Sequence, residues 1–233
     1  MCIRDRYIVI TRSFPPEVGG MQNLMWGLAN SLSKYYMIKV FADYHEQHNN
    51  YDERVSFSIQ RVGGIKLLRK YRKAHLVNEF IKKNKHIKGI IADHWKSLEL
   101  IKTNKKKICL IHSKEINHNK GTNLNKRVLN ILNNVDHVIS NSEYTKNLAI
   151  DCGVNSSQVT VINPGVNPAK ELNKKTIKEA ENLLKNKSPR LITVSRLDKR
   201  KNHEKIIMTL RNLKQIYPNI IYCLLYTSDA ADE

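Results

Sequence analysis

The feature that most restricts this chain is a rhythm. Short, nearly continuous apolar runs alternate with longer amphipathic stretches from Tyr7 almost to Tyr222. Tyr7–Thr11, Met37–Ala42, Val55–Val62, Gly89–Asp93, Lys107–His112, Asp136–Ser140 and Gln158–Ile162 have strand length. Several are apolar at successive positions, as strands covered on two faces require. Between them, Met21, Leu24, Met25, Leu28 and Leu32 recur at helical spacing. Ile65–Lys83, Leu98–Thr103, Asn125–Asn133 and Ser142–Asp151 also read as helices. Ser142 serves as an N-cap for the last, and Gly153 as its C-terminal stop. Strand–helix alternation implies right-handed βαβ units, hence an α/β fold with a parallel sheet. Such sheets bind ligands beyond the carboxyl ends of their strands. The informative loops are therefore Ser13–Gly20, Asp93–Trp95, His112–Glu115, Asn141–Ser142 and Asn163–Asn167.

The rhythm has one break. After Asn163-Pro164-Gly165-Val166-Asn167-Pro168 comes a charged helix, Glu171–Lys185, and Ser188-Pro189 then opens a new strand at Arg190–Ser195. A helix over Asn202–Ile216 and a strand beginning at Ile220 follow. The expected organisation is a first domain over 6–168, a linker helix within 169–187, and the truncated start of a second α/β domain over 188–222.

Both ends read as foreign. Residues 1–5 and 223–233 can be encoded by one short DNA element on opposite strands, similar to a sequencing-library transposon adapter. They are set aside as adapter-derived. The formal charge of the 233-residue chain is +19, and removing the net −3 of these tracts raises it to +22.

So large a charge has three readings: a solvated, compositionally basic surface, attraction to an anionic membrane or acceptor, or nucleic-acid binding. The lysines are scattered among Asn and Ile along the whole chain, and no nucleic-acid motif accompanies them, so no nucleic-acid partner is expected. At 41% hydrophobic and 26% charged the chain is globular rather than disordered. No apolar stretch is long enough to span a bilayer, and no secretory h-region follows the start. The 4 cysteines contain no C-x-x-C pair, which excludes disulfide scaffolds, zinc ribbons and thioredoxin-like sites. Free thiols fit a cytoplasmic protein.

Two loops and one histidine could carry chemistry. Phe14-Pro15-Pro16-Glu17-Val18-Gly19-Gly20 runs straight into a helix. It reads either as a plain turn or as a place where glycine backbone and a helix N-terminus meet a phosphate. Val194-Ser195-Arg196-Leu197-Asp198-Lys199-Arg200-Lys201-Asn202-His203 is either a solvated basic loop or a cationic cradle for a diphosphate. His112 at a strand end is either structural or directed at a ligand; His94 beside Trp95 has the same two readings, more weakly. No metal-ligand spacing is present, since His45 and His48 have no evident third ligand.

Together these segments resemble the family 4 glycosyltransferases of GT-B fold, in particular the phosphatidylinositol-mannosyltransferase-like branch. The resemblance rests on Phe14-Pro15-Pro16-x-x-Gly19-Gly20-Met21-Gln22, the strand ending at His112, Ser140-Asn141-Ser142-Glu143-Tyr144-Thr145, Val161-Ile162-Asn163-Pro164-Gly165-Val166-Asn167, and Val194-Ser195-Arg196-Leu197 with Lys201. It implies two facing Rossmann-like domains, acceptor mostly on the first and nucleotide sugar mostly on the second. By the same resemblance, Gly19 and Gly20 contact the donor diphosphate, Arg196 and Lys201 hold it and stabilise the leaving nucleotide, and His112 lies near the reacting carbon.

Transfer with retention follows as a further expectation, from a GDP- or UDP-linked sugar to a glycan, polysaccharide or lipid-linked acceptor at the inner membrane face, without metal or resident cofactor. Asn202 stands where many members have Gly, and Ser113-Lys114 is atypical after His112. The family's paired glutamates are expected downstream of Tyr222, so this segment alone is expected to be inactive. The rival readings are a non-catalytic basic module for nucleic acid or anionic glycans, and a sugar-nucleotide epimerase of related fold.

Overall fold

The structure, a computed structural model, describes residues 5–166 and 171–226. The remaining residues of the adapter-like ends, and 167–170 at the expected domain boundary, lie outside them. The chain divides into two compact units, 1–167 and 168–233.

The first unit holds a seven-stranded parallel sheet. Its strands are β1 (Arg6–Ile10), β2 (Met37–Asp43), β3 (Ser58–Val62), β4 (Ile87–Ala92), β5 (Lys106–Ile111), β6 (His137–Ser140) and β7 (Val159–Val161). Spatial order is β3-β2-β1-β4-β5-β6-β7. The chain thus winds outward from β1 in one direction, returns, and winds outward from β4 in the other. That places a topological switch point between β1 and β4, where a crevice opens beyond the strand ends.

Alternation along the central strands fills both faces. Ile8 and Ile10 point to one side and the equally buried Val9 to the other. The first face is covered by α3 (Lys66–Lys83) through Ala74 and Val77, by α4 (Trp95–Leu98) through both end residues, and by α5 (Asn123–Leu132) through Val128 and Leu132. The second face packs on Met25 and Ala29 of α1 (Gly20–Ser33). α6 (Glu143–Cys152) is capped as its sequence implies: Ser142 Oγ accepts from Thr145 N at 3.2 Å, and Gly153 ends the helix at φ 107°.

Three local readings need correction. The helix expected at Leu98–Thr103 lies earlier, as α4, because His94 caps it and Trp95 and Leu98 are the side chains the core receives. β3 is shorter than the Val55–Val62 run: it begins at Ser58, and Phe57 just before it packs edge-on against the Phe14 ring at 6.2 Å. A short helix, α2 (His48–Asp52), stands between β2 and β3, where the sequence pattern assigns no helix.

The second unit contains α7 (Lys174–Leu184), β8 (Arg190–Val194), α8 (His203–Ile216) and β9 (Ile221–Leu225), with β8 and β9 parallel. β9 continues through Cys223–Leu225, three residues that read as adapter-derived. Their apolar character suits a strand whatever their coding origin, and Leu224 pairs with Thr193. Among the described residues, no helix is long and apolar enough to cross a membrane.

Candidate functional site

At the switch point the β1 and β4 ends are tied together by one buried carboxylate. Asp93, just past β4, accepts from Arg12 N at 2.9 Å and lies 2.8 Å from Thr11 Oγ1, while Ser97 Oγ donates to its other oxygen at 3.0 Å. A buried carboxylate is tolerable only when so many donors converge on it. The result is a rigid floor for the loop that runs from Arg12 to Gly19.

That loop leads into α1, and Gly19 is its N-cap. Gly19 has φ 166° and ψ 168°, an extended conformation open to any residue, so no backbone strain demands glycine there. With no cap side chain, the first-turn N–H groups of α1 have no side-chain capping partner among the described residues. A Cβ at Gly20 would meet nothing within 4 Å, whereas one at Gly19 would come within 2.3 Å of Gln22 Oε1. The glycines therefore keep the helix N-terminus bare rather than bend the chain.

His112 follows β5 directly. Its backbone N–H donates to Glu115 Oε1, and its ring Nε2 is buried without a hydrogen-bond partner among the described residues. It shares a cavity of about 400 Å³ with Arg12, Met21, Asp93, His94 and Lys96. Met21 belongs to the first turn of α1, so one cavity joins the start of that helix to His112.

His94 Nδ1 accepts from Lys96 N at 3.0 Å. Burial, reinforced by the charges of Arg12 and Lys96, pushes the His94 pKa down to about 3. His94 is thus a fixed neutral ring. The neighbouring thiol of Cys109 is held protonated by burial, with Asp93 and Glu115 adding to the effect.

A second cavity of about 570 Å³ opens on the β1 and β2 ends and shares Arg12, Ser13 and Lys96 with the first. Lys73 of α3 is buried in its wall, donating to Thr11 O at 2.6 Å and pairing with Asp43. Burial lowers the Lys73 pKa, and Asp43 opposes that shift. Sequence reasoning did not single out Arg12, Lys73 or Lys96, because no local motif joins them. Among the described residues no group of three or more His, Cys, Asp or Glu is placed to hold a metal.

Arg196 and Lys201 lie in the second unit, on the loop from β8 to α8. Lys201 closes a 3-10 turn over Lys199–Lys201 whose N-cap is Asp198. Arg200 grips the Asp198 carboxylate from Nε and Nη2 and holds its pKa far below the usual range. The ring of His203 lies 2.9 Å from Arg196 O and 3.2 Å from Ser195 Oγ, pinning the loop to the first turn of α8. Asn202 adopts φ 58°, ψ 36°, the left-handed region that Gly and Asn enter most readily. This accounts physically for Asn at a position where the resemblance leads us to expect Gly.

The model of Glycosyltransferase Family 4 matches residues 18–170. The chain belongs to that family. No curated protein sequence matches it. Among solved structures, Alr3699/HepE from Anabaena in complex with UDP is 16% identical with a TM-score of 0.73, covering 94% of this chain and 60% of that one. Sucrose-phosphate synthase (tll1590) from Thermosynechococcus elongatus is 17% identical with a TM-score of 0.71, covering 99% and 64%. A glycosyltransferase from Rickettsia africae ESF-5 is 16% identical with a TM-score of 0.70, covering 97% and 62%. These likenesses establish the GT-B, Rossmann-like fold, and the chain spans about 60% of the length of such structures.

Proposed function

We propose that this glycosyltransferase family 4 chain is the acceptor-side domain and the opening of the donor-side domain of a retaining transferase. The enzyme moves a sugar from a UDP- or GDP-linked donor to a glycan or lipid-linked acceptor without metal, and this segment alone is inactive. The observation that carries the proposal is the cavity shared by His112 and the first turn of α1. A bare helix N-terminus attracts a diphosphate through its unpartnered N–H groups and its dipole. His112 lines the same cavity, with its ring Nε2 buried and without a hydrogen-bond partner among the described residues, and its role beside the donor sugar is carried over from the resemblance. Family membership and the UDP and UDP-glucose complexes of the Anabaena protein support a nucleotide-sugar donor.

In this reading Arg196 and Lys201 neutralise the nucleoside diphosphate as negative charge grows on it during cleavage of the anomeric bond. The acceptor side includes peripheral contact with an anionic membrane. It is supported by Leu67 (84% exposed) and Tyr71 (59% exposed) standing beside Lys66, Arg69 and Lys70 on α3.

Calorimetric titration of the chain with UDP, GDP and UDP-glucose tests the donor half. Binding is expected, and Gly20→Ala is expected to weaken it roughly tenfold by crowding the helix N-terminus. Because nothing lies within 4 Å of the added Cβ and Ala suits a helix better than Gly, the unfolding midpoint should hold or rise slightly. Unchanged affinity in Gly20→Ala overturns the assigned role of this loop. Absence of all nucleotide binding overturns the donor reading for this chain.

A further inference from the structure

The larger cavity is unbalanced in charge. Glu17 and Asp43 are its only lining carboxylates among the described residues, against Arg12, Lys66, Arg69, Lys70, Lys73 and Lys96. Asp43 is already engaged twice, by Arg69 at 3.1 Å and by Lys73. Lys70 is drawn to Glu99, which does not line the cavity. Arg12, Lys66 and Lys96 have no acidic partner among the described residues, and Lys96 instead lies 5.2 Å over the Trp95 ring. Holding several cations around one concavity is unfavourable until an anion enters.

The cations come from separate elements fixed by the fold, and one of them, Lys73, is itself buried. This distinguishes the cavity from the generally basic surface. A carboxylate offers two acceptor oxygens and a single charge. A phosphoryl group offers three oxygens and up to two charges, which matches three unpaired cations better.

We infer that this cavity is the acceptor's anchoring subsite and takes a phosphoryl group. The inference rests on the transferase reading in placing the acceptor on the first unit. Arg12, Ser13 and Lys96 line both cavities, so an acceptor anchored by its phosphate in the larger one has a short path to the cavity of His112. The phosphoryl group belongs either to a soluble phosphorylated acceptor or to a lipid headgroup.

Titration of the chain with sn-glycerol 3-phosphate, with glycerol, and with phosphatidylcholine vesicles with or without phosphatidylglycerol separates these sources. Calorimetry and the Trp95 indole N–H resonance supply the readouts. Glycerol 3-phosphate or the anionic vesicles should bind, and glycerol and neutral vesicles should not. The double variant Lys66→Gln/Lys96→Gln should weaken binding by roughly tenfold or more, and Arg12→Gln should weaken it independently. The equal-charge control Lys83→Gln/Lys85→Gln, at the far end of α3 and just past it, should change affinity by less than about twofold.

Binding confined to vesicles assigns the headgroup, and binding of the soluble probe assigns a free phosphorylated acceptor. Binding of neither, or equal weakening by the control pair, overturns the subsite. Because no nucleotide is present, its failure leaves the UDP and GDP titrations untouched, and their failure leaves this result standing.

Discussion

Two strand–loop–helix units of similar local grammar stand in this chain under opposite conditions. β1, its glycine loop and α1 lie in a sheet with neighbours on both sides; Ile8, Val9 and Ile10 are at most 1% exposed. β8, its Arg196–Lys201 loop and α8 have the same order, yet Ile192 is 62% and Val194 73% exposed. Among the described residues of the second unit, none is buried. Sequence pattern is therefore enough to set a βα unit's shape, since neither α1 nor α8 has a side-chain bond at its N-cap. The stabilisation that comes from burying a branched side chain, about 1.5–3 kcal/mol each, depends on what packs around it.

The sharpest way to break this comparison is to cut one large side chain in each unit. Trp95 is fully buried, donates through Nε1 to Glu115 O at 2.9 Å, and has Arg127 5.6 Å over its ring. Trp95→Ala should cost about 3–5 kcal/mol in urea unfolding followed by the fluorescence of Trp26. Ile192→Ala should cost less than about 1 kcal/mol, read from amide exchange of β8, because most of that side chain already meets solvent. Comparable losses at the two positions would mean that the second unit is stabilised by contacts the exposures do not reveal.

Much of the fold is legible in the sequence because the central strands are buried on two faces and so carry uninterrupted apolar runs. Ser142 and Gly153 are legible for a different reason: cap chemistry is local, and both residues declare it. α4 is misplaced from sequence because it is four residues long and is defined by tertiary packing of Trp95 and Leu98. The site divides similarly. Gly19, Gly20, His112, Arg196 and Lys201 stand in short motifs and can be singled out. Arg12, Lys66, Lys73 and Lys96 are brought to one cavity by the ends of β1 and β4 and by α3, and a chain with 40 Lys and Arg offers no signal to pick them out.

Acid should distinguish the units next. His94, in the first unit, has a folded pKa of about 3 against about 6.5 unfolded. The unfolded state therefore binds a proton that the folded state refuses, and stability falls as pH drops below about 6.5. The slope approaches about 1.4 kcal/mol per pH unit until the folded ring titrates. In the second unit the shifted acid is Asp198, whose contribution persists until pH falls below the ordinary carboxylate range. Between about pH 6.5 and 4.5 the His94 linkage should weaken the first unit. Tryptophan fluorescence reads it selectively, since Trp26 and Trp95, the chain's 2 tryptophans, both lie there. His94→Asn keeps an N-cap acceptor and should flatten the slope; an unaltered slope would assign the acid sensitivity to another group.

The smallest effects concern two left-handed residues that punctuate helices, one in each unit. Gly153 ends α6 at φ 107°, and a Cβ there would sit 3.2 Å from Leu129 Cδ1. Gly153→Ala should cost about 1–2 kcal/mol, combining backbone strain with a contact the packed core resists. Asn202 opens α8 at φ 58° with no side-chain cap bond, in surroundings that can give way. Asn202→Ala should cost about 0.5–1 kcal/mol of local stability in amide exchange of α8, and Asn202→Gly close to nothing. If Asn202→Gly instead destabilises the helix as much as Ala does, the amide side chain matters for more than conformation. A contact rather than a dihedral angle would then be needed to explain Asn at this position.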